Sequence, residues 1–575
     1  VDDTVDQPYL DAVRVALDAF LAGVRAEADG DAWAHLEHRA LAHRVLGLVA
    51  GACAPTTDPA VLLRPAERLV AHLRALQGPS GLFTGGDNVD SPPDSAFSVN
   101  DLADAAALLR SPSAPGAPAL AAALDEVLAA ATPALLRGGV HTPNHRWELS
   151  AALARLHRVR PDPALVARVE QWLAEGVDID GDGLFSERSA NYAAHVSNPS
   201  LLAIADVLGR DDLVDAVERN LTATLDLLLP DGTVETVHSR RQDQRGTIRL
   251  GAYLLPLRRV ARARGRGDLA WAAELALAQG VEQPARAAAQ LVLDPDAAAA
   301  LPPAEAPAPR RRRVLAAAGV VLDHGPRGTT VVFGGSDHAR HGRVRSGLAT
   351  NPTFLRLLTP SLALDGVRLS RTFFGLGPFR ADTSAVREDG VHLHEEVGAA
   401  YYQPLAAGLR DPAGAYAVED EGRFSAAMSF GARERDVVRL TTDVDVRLVD
   451  GGAELTLDTT GPAVDAVLEL ALRPGGSMTG ARADGEHRWR LDPAAGPGAA
   501  AAYRQGEQVL HVRVLAAEDA GGGPVAAPRR APGYHPGEDY AFLGGTDAAQ
   551  GELLLVAFRT PCHLRVGLSV EAVHP

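Results

Sequence analysis

Residues 294–322 read DPDAAAALPPAEAPAPRRRRVLAAAGVVL, and the patterns on either side of this stretch decide the fold. From Asp294 to Pro309 the chain is alanine- and proline-rich, and proline at this density interrupts both helix and strand. Arg310 to Arg313 is a short basic run, read here as the solvated flank of a hinge. Before it, apolar residues recur every three or four positions; after it, they alternate. A linker at 294–313 therefore separates a helical domain, 1–293, from a strand-rich domain, 314–575.

The helical half predicts segments at Leu10–Arg25, Trp33–Ala50, Ala60–Leu76, Leu102–Leu109, Ala119–Ala131 and Trp147–Leu156. They continue at Pro163–Leu173, Ser200–Leu208, Leu213–Leu229, Thr247–Arg264, Leu269–Gln279 and Pro284–Leu293. Sequential helix pairs without a fixed repeat period favour an incomplete (α/α) toroid over a TPR- or HEAT-type solenoid. Downstream, Val314–Leu322, Thr329–Phe333, Arg439–Val449, Ala453–Asp458, Val464–Leu472, Gln508–Val514 and Glu552–Phe558 read as strands of a large antiparallel β-sandwich. The fold class expected is multidomain α+β.

The 575 residues are 46% hydrophobic and 22% charged, the balance of a globular protein. A net charge of −17 argues against a nucleic-acid surface. No window approaches the roughly 20 uninterrupted apolar residues of a membrane helix. Cys53 and Cys562 form no disulfide framework, which favours a reduced compartment, and the acidic start Val1-Asp2-Asp3 carries no basic-then-apolar leader. Either the protein is cytosolic or a signal peptide lies outside this numbering. There is no lysine, so any carboxylate clamp uses the arginine fork.

Polar residues with chemical potential gather in connecting segments. Pro143-Asn144-His145-Arg146-Trp147-Glu148 opens a helix, with Asn144 in the cap region and His145 and Glu148 on one face. Asp182-Gly183-Leu184-Phe185-Ser186-Glu187-Arg188-Ser189-Ala190-Asn191-Tyr192 precedes another. A third cluster, His238-Ser239-Arg240-Arg241-Gln242, and a fourth, Ser336-Asp337-His338-Ala339-Arg340-His341-Gly342-Arg343, sit in loops. Asp87 to Asn100, with Asp94, reads as a long polar loop lining a cleft. Trp147 and Tyr402 are candidates to stack on sugar faces. Asp178-x-Asp180-x-Asp182-Gly183 resembles half of a calcium loop, but its twelfth position is Ser189, and a plain turn is the better reading.

The Asn144-His145 pair at a helix start, followed by the segment ending at Tyr192, resembles the heparinase II/III-like lyases. The resemblance covers the architecture of nearly the whole chain but only a few short motifs. It implies β-elimination on a uronate glycan. Such a reaction must neutralise the carboxylate beside C5, remove the C5 proton and protonate the leaving oxygen. By resemblance Asn144 and His145 neutralise the carboxylate, His145 also being a possible base, and Tyr192 is the proton donor. Glu148 holds a secondary place beside the histidine. Arg188 and the arginines of the third cluster, Arg240 and Arg241 among them, hold the substrate's charge, with His238 and Gln242 beside them as substrate-binding candidates. His341, with His338 as second choice, is the histidine that the strand-rich domain lends. No organic cofactor is implied. The structural zinc of some relatives is in doubt, because these histidines stand three apart and His392-Leu393-His394 also suits an exposed strand.

The expected activity is thus a polysaccharide lyase acting on an anionic, uronate-containing glycan, without nucleic-acid or membrane partners. Its rivals are a toroidal glycoside hydrolase with paired carboxylates, drawn from Asp87, Asp94, Glu148 and Glu187, and a non-catalytic glycan-binding protein.

Overall fold

The computed structural model describes residues 5–28, 31–53, 58–308, 311–342, 344, 347–419, 428–535 and 550–572; Arg310 and Arg343 lie outside them. The chain forms two compact units. The first comprises Val1–Leu228 with Ile248–Pro307, and the second comprises Leu229–Thr247 with Ala308–Pro575. Residues 229–247 thus interrupt the first unit in sequence and belong to the second.

The first unit is built from helices α1 (Gln7–Ala28), α2 (His38–Ala52), α3 (Pro59–Leu76), α4 (Pro92–Leu108), α5 (Pro118–Arg137), α6 (Pro143–Val159) and α7 (Pro163–Leu173). Next come α8 (Ala190–Tyr192), α9 (Asn198–Leu208), α10 (Asp211–Asp226), α11 (Leu254–Arg264), α12 (Gly267–Ala278) and α13 (Pro284–Leu293). Six of them start on proline. Its fixed φ suits the first turn, where a missing N–H costs nothing. Alternate helices pack on one another, α2 on α4, α4 on α6 and α6 on α9, while α3, α5 and α7 form the flanking row. The last helix, α13, returns against α1 and α2. This is an incomplete (α/α) toroid.

Helix α4 corrects one expectation. Residues 92–100 are not a polar loop but the first half of this helix, capped by Ser91, whose Oγ accepts from the Asp94 N–H at 3.2 Å. The helix is surrounded by α2, α5, α6 and α13, so even Ser95, Ser98, Asn100 and Asp101 are buried. Helix α5 is long and apolar enough to cross a membrane by composition alone. It carries Asp125 and Glu126 on one side, however, and turns Leu120, Leu124, Val127, Leu128 and Leu135 inward against α3 and α4.

The second unit is a β-sandwich. Among the described residues, one sheet has nine strands in the order Arg482–Ala483, Arg488–Leu491, Glu552–Arg559, Asp465–Leu472, Ala363–Arg371, Leu355–Leu358, Gly328–Phe333, Val320–Gly325, Arg311–Leu315. The other has eight: Ser477–Thr479, Ala500–Gln505, Gln508–Asp519, Cys562–Ala572, Gly452–Thr460, Arg435–Val449, Gly390–Tyr402, Thr383–Val386. Neighbours are antiparallel except Arg488–Leu491 beside Glu552–Arg559. Val332, Leu355, Leu369 and Leu468 from the first sheet share one buried core with Leu393, Val444, Leu455 and Val566 from the second.

The segment Val314–Leu322 is two arms of a hairpin rather than a single strand. Gly319 turns it at φ +65°, where a Cβ would lie 2.4 Å from Gly335 Cα. Arg311 to Arg313 begin the edge strand of the nine-stranded sheet and are not a hinge flank. Charged side chains along an open edge discourage pairing with another chain.

Candidate active site

The helical unit gathers its chemistry at the N-terminal ends of α4, α6 and α9. At the start of α6, the Thr142 hydroxyl donates to Asn144 Oδ1 at 2.8 Å. Asn144 is 3% exposed, and its Nδ2 is buried without a hydrogen-bond partner among the described residues. A buried donor left unmet costs about 1–3 kcal/mol, so its retention calls for a reason. His145 beside it is half-buried, with its ring edge-on to Phe97 at 6.2 Å and to His141 at 4.9 Å.

Asp178 joins this helix start to the second motif. Its carboxylate accepts from Trp147 Nε1 at 3.0 Å, pairs with Arg146 at 2.9 Å and takes the Ser186 hydroxyl. Asp180 Oδ1 accepts the backbone N–H groups of Asp182 and Leu184, each at 3.0 Å, which closes the Asp/Gly segment as a turn. Gly183 has φ +85°, and a Cβ there would lie 2.6 Å from the Arg219 carbonyl oxygen.

Beyond it, Arg188 adopts φ +50°, a left-handed conformation that costs a non-glycine residue on the order of 1–3 kcal/mol. Ser189 then caps the turn holding Tyr192, its Oγ accepting from the Tyr192 N–H at 3.1 Å. Residues Ala193–Ser197 form a π-helical turn before α9, a device that is frequent at functional sites. Tyr253 fixes the segment by donating its hydroxyl to the Ala190 carbonyl at 2.7 Å. Tyr192 is left half-buried.

A polar network underlies the site. Glu148 accepts from Asn100 Nδ2 at 2.7 Å and from the Ser200 hydroxyl at 3.0 Å. Burial raises the Glu148 pKa against the opposing pull of Arg286, Asn100, Arg155 and Ser200. Asn100 Oδ1 in turn accepts from Arg155 at 2.9 Å. Burial also works against the Asp101 charge, but Arg286 at 3.0 Å and His43 at 3.2 Å overcome it and hold that carboxyl well below the usual range. Arg286 passes on to Gln283, whose amide lies 3.0 Å from His195 Nδ1. Burial, with Arg286 nearby, depresses the His195 pKa, so the ring is neutral at pH 7.

These positions redistribute the candidates of the helical unit. Asn144, His145, Arg188 and Tyr192 keep some surface or an unmet donor. Asn100 and Glu148 do not: both are buried and their polar atoms are held by other side chains, so they position rather than touch a ligand. Trp147 is fully buried, with its indole committed to Asp178, and offers no face to a sugar. Asp94 is 3% exposed, takes the Ser91 hydroxyl at 2.7 Å and pairs with Arg39. Arg39 was not legible in the sequence. It lies on α2, 55 positions from Asp94, and reads there as an ordinary polar residue of an amphipathic helix.

In the sandwich unit, His238 is buried, at 1% exposure. Arg240 reaches Asp337 at 2.8 Å, which brings the 229–247 segment against the turn His338–His341. His338 is half-buried and His341 exposed. Gln242 lines a polar cavity of about 820 Å³ with Gln244, Asn351, Arg356, Asp365 and Arg473. Arg241 is half-buried in the same segment. Tyr402 ends a strand with its ring 4.9 Å from Phe430. His392 and His394 pair across strands with Asp445 at 3.0 Å and Asp443 at 2.8 Å. Among the described residues, no group of three or more His, Cys, Asp or Glu is arranged to hold a metal ion.

No protein-family model matches the chain, and no curated protein matches it. Among solved structures, it is similar to the heparan sulfate lyase HepC from Pedobacter heparinus, at 12% identity and a TM-score of 0.47, over 92% of this chain and 76% of that one. It is similar to a heparinase III at 11% identity and 0.49, over 93% and 77%. A chondroitin AC lyase variant from Streptomyces coelicolor follows at 15% and 0.44, over 94% and 73%.

Proposed function

We propose that the chain is a polysaccharide lyase that cleaves a uronate-containing glycan by β-elimination. The observation that supports this reading is the buried, unpartnered amide donor of Asn144 beside the half-buried His145 at the start of α6, in the same unit as the half-buried phenol of Tyr192. Each suits one of the three demands of elimination. Asn144 Nδ2 is a donor for the uronate carboxylate, where negative charge builds as the C5 proton leaves. His145 or Tyr192 takes that proton, and Tyr192 returns one to the glycosidic oxygen as the C4–O bond breaks. The electron pair of the C5–H bond becomes the C4=C5 double bond, and a new 4,5-unsaturated uronate end results. His341 and His338 are proposed as further imidazole contributors, to be tested by substitution.

Two of the four candidate carboxylates are committed to other side chains, which supports elimination over hydrolysis. Asp94 is committed to Arg39 and Glu148 to Asn100 and Ser200, all within hydrogen-bonding reach. A hydrolase needs two opposed carboxyl groups available to the sugar. The test is a panel of heparan sulfate, hyaluronate, chondroitin sulfate, alginate and glucuronan, followed by ultraviolet absorbance. At least one polymer is expected to give the chromophore of a conjugated uronate. New reducing ends without that chromophore would replace the reading by hydrolysis, and neither signal on any polymer would leave a binding protein.

A further inference from the structure

Arg39 is the second residue of α2, and its side chain is 39% exposed although its partner Asp94 is buried. Its guanidinium lies 4.0 Å over the ring of Phe97, and the same ring meets His145 edge-on at 6.2 Å. Phe97 thus neighbours both Arg39 and the candidate imidazole. Burial disfavours the Arg39 charge, and Glu148, Glu37 and Tyr192 are near enough to act on it electrostatically. The adjacent His38 cannot share the role. It is buried, bonded to the Ser98 hydroxyl at 2.7 Å and stacked on Phe83, and burial depresses its pKa to about 4, so it is neutral.

Asp94 is held from the other side by Ser91, and Phe97 supports the flat face of the guanidinium. The arginine is thus fixed at two points while its side chain stays 39% exposed. A guanidinium presents five N–H donors, more than one carboxylate can occupy, and fits a second carboxylate bidentately.

We propose that Arg39 is the cation that grips the substrate's uronate carboxylate, with Asp94 and Phe97 as the residues that position it. This inference rests on the elimination reading and adds a specificity determinant to it: the site selects free-acid uronates over esterified ones. The physical reason is that removing the C5 proton beside a carboxylate builds a dianion, which gains more from a counter-charge than the monoanion formed beside an ester.

The test compares wild type, Arg39→Gln, Arg39→Lys and the double variant Arg39→Gln/Asp94→Asn. The last is included because Arg39→Gln alone strands the buried Asp94 carboxylate. Each is assayed on the polymer of the panel above that gives the fastest ultraviolet signal, and on its methyl ester. Arg39→Gln and the double variant are expected to lose about 10²–10³-fold in kcat on the free acid, the usual loss when one charge-stabilising donor is removed. They are expected to lose less than about tenfold on the ester, and Arg39→Lys to recover part of the free-acid rate. Equal losses on both substrates, or a free-acid rate unchanged in the double variant, overturn the assignment while leaving elimination intact. A wild-type protein that forms no chromophore on any polymer overturns the elimination reading, and this one with it.

Discussion

In the sandwich unit, the side chains of Arg371 and Glu395 are 1% and 2% exposed; in the helical unit, Asp94 is 5% exposed but its partner Arg39 is 39% exposed. Both members of the sandwich pair are almost wholly buried, although Arg371 Nε has no hydrogen-bond partner among the described residues. Arg371 also donates to Thr442 at 3.0 Å, and the Arg380 N–H donates to the second oxygen of Glu395 at 3.0 Å. Arg368 and Glu469 form a second buried pair. In the helical unit Arg39 is partly exposed, and the start of α6 holds an amide donor with no acceptor among the described residues. A fully buried pair specifies packing, whereas a partly exposed one keeps surface that a ligand can reach.

Substitution separates the two kinds of cluster. The largest effect is expected from Tyr192→Phe, which removes the proton donor and keeps the ring: turnover falls about 10²–10⁴-fold while the thermal midpoint holds. Loss of activity together with loss of fold would instead place Tyr192 among the packing residues. In the buried pair the consequences reverse. Glu395→Ala leaves Arg371 buried and uncompensated, and is expected to cost about 3–5 kcal/mol in denaturant unfolding. A cost under about 1 kcal/mol would show that the pair is not buried in solution.

Asn144→Ala is the sharper intermediate case. Its Nδ2 has no partner to lose and only the Thr142 hydroxyl loses an acceptor, so a stability cost of about 0.5–1.5 kcal/mol is expected, while turnover falls about 10²–10³-fold. A large loss of stability would mean that the amide serves the fold.

The smallest effect concerns Glu148. Its pKa is raised in the folded protein by burial, so its stabilising contribution is present below the ordinary carboxylate range and is lost as pH rises through the folded value. Glu148→Gln removes this titration. The stability of wild type relative to the variant is therefore expected to decline as pH rises above the ordinary carboxylate pKa. A difference that stays flat with pH would contradict the assigned direction.

The same contrast explains what the sequence could and could not convey. Helices with one apolar stripe were legible to the residue, as with Pro163–Leu173 and Pro284–Leu293. Helix α4 was half missed because a helix enclosed by its neighbours buries Ser95, Ser98, Asn100 and Asp101 too, which erases the amphipathic pattern. Its start was encoded all the same, in Ser91-Pro92-Pro93-Asp94, a cap followed by prolines. The hairpin at 311–325 was read as one strand because Ala316-Ala317-Ala318-Gly319 interrupts it without a strong polar turn signal. In the site, Asn144, His145 and Tyr192 were visible as local motifs. Arg39 and the Asp178 bridge were not, since their partners are supplied by tertiary structure across tens of residues.

The measurement that bears most directly on the chemistry is proton nuclear magnetic resonance of the product. Elimination predicts a vinylic proton at C4 of the new non-reducing end, the disappearance of H5 and a product mass lower by one water than the hydrolytic equivalent. A saturated product that retains H5 and carries the added water would contradict the account.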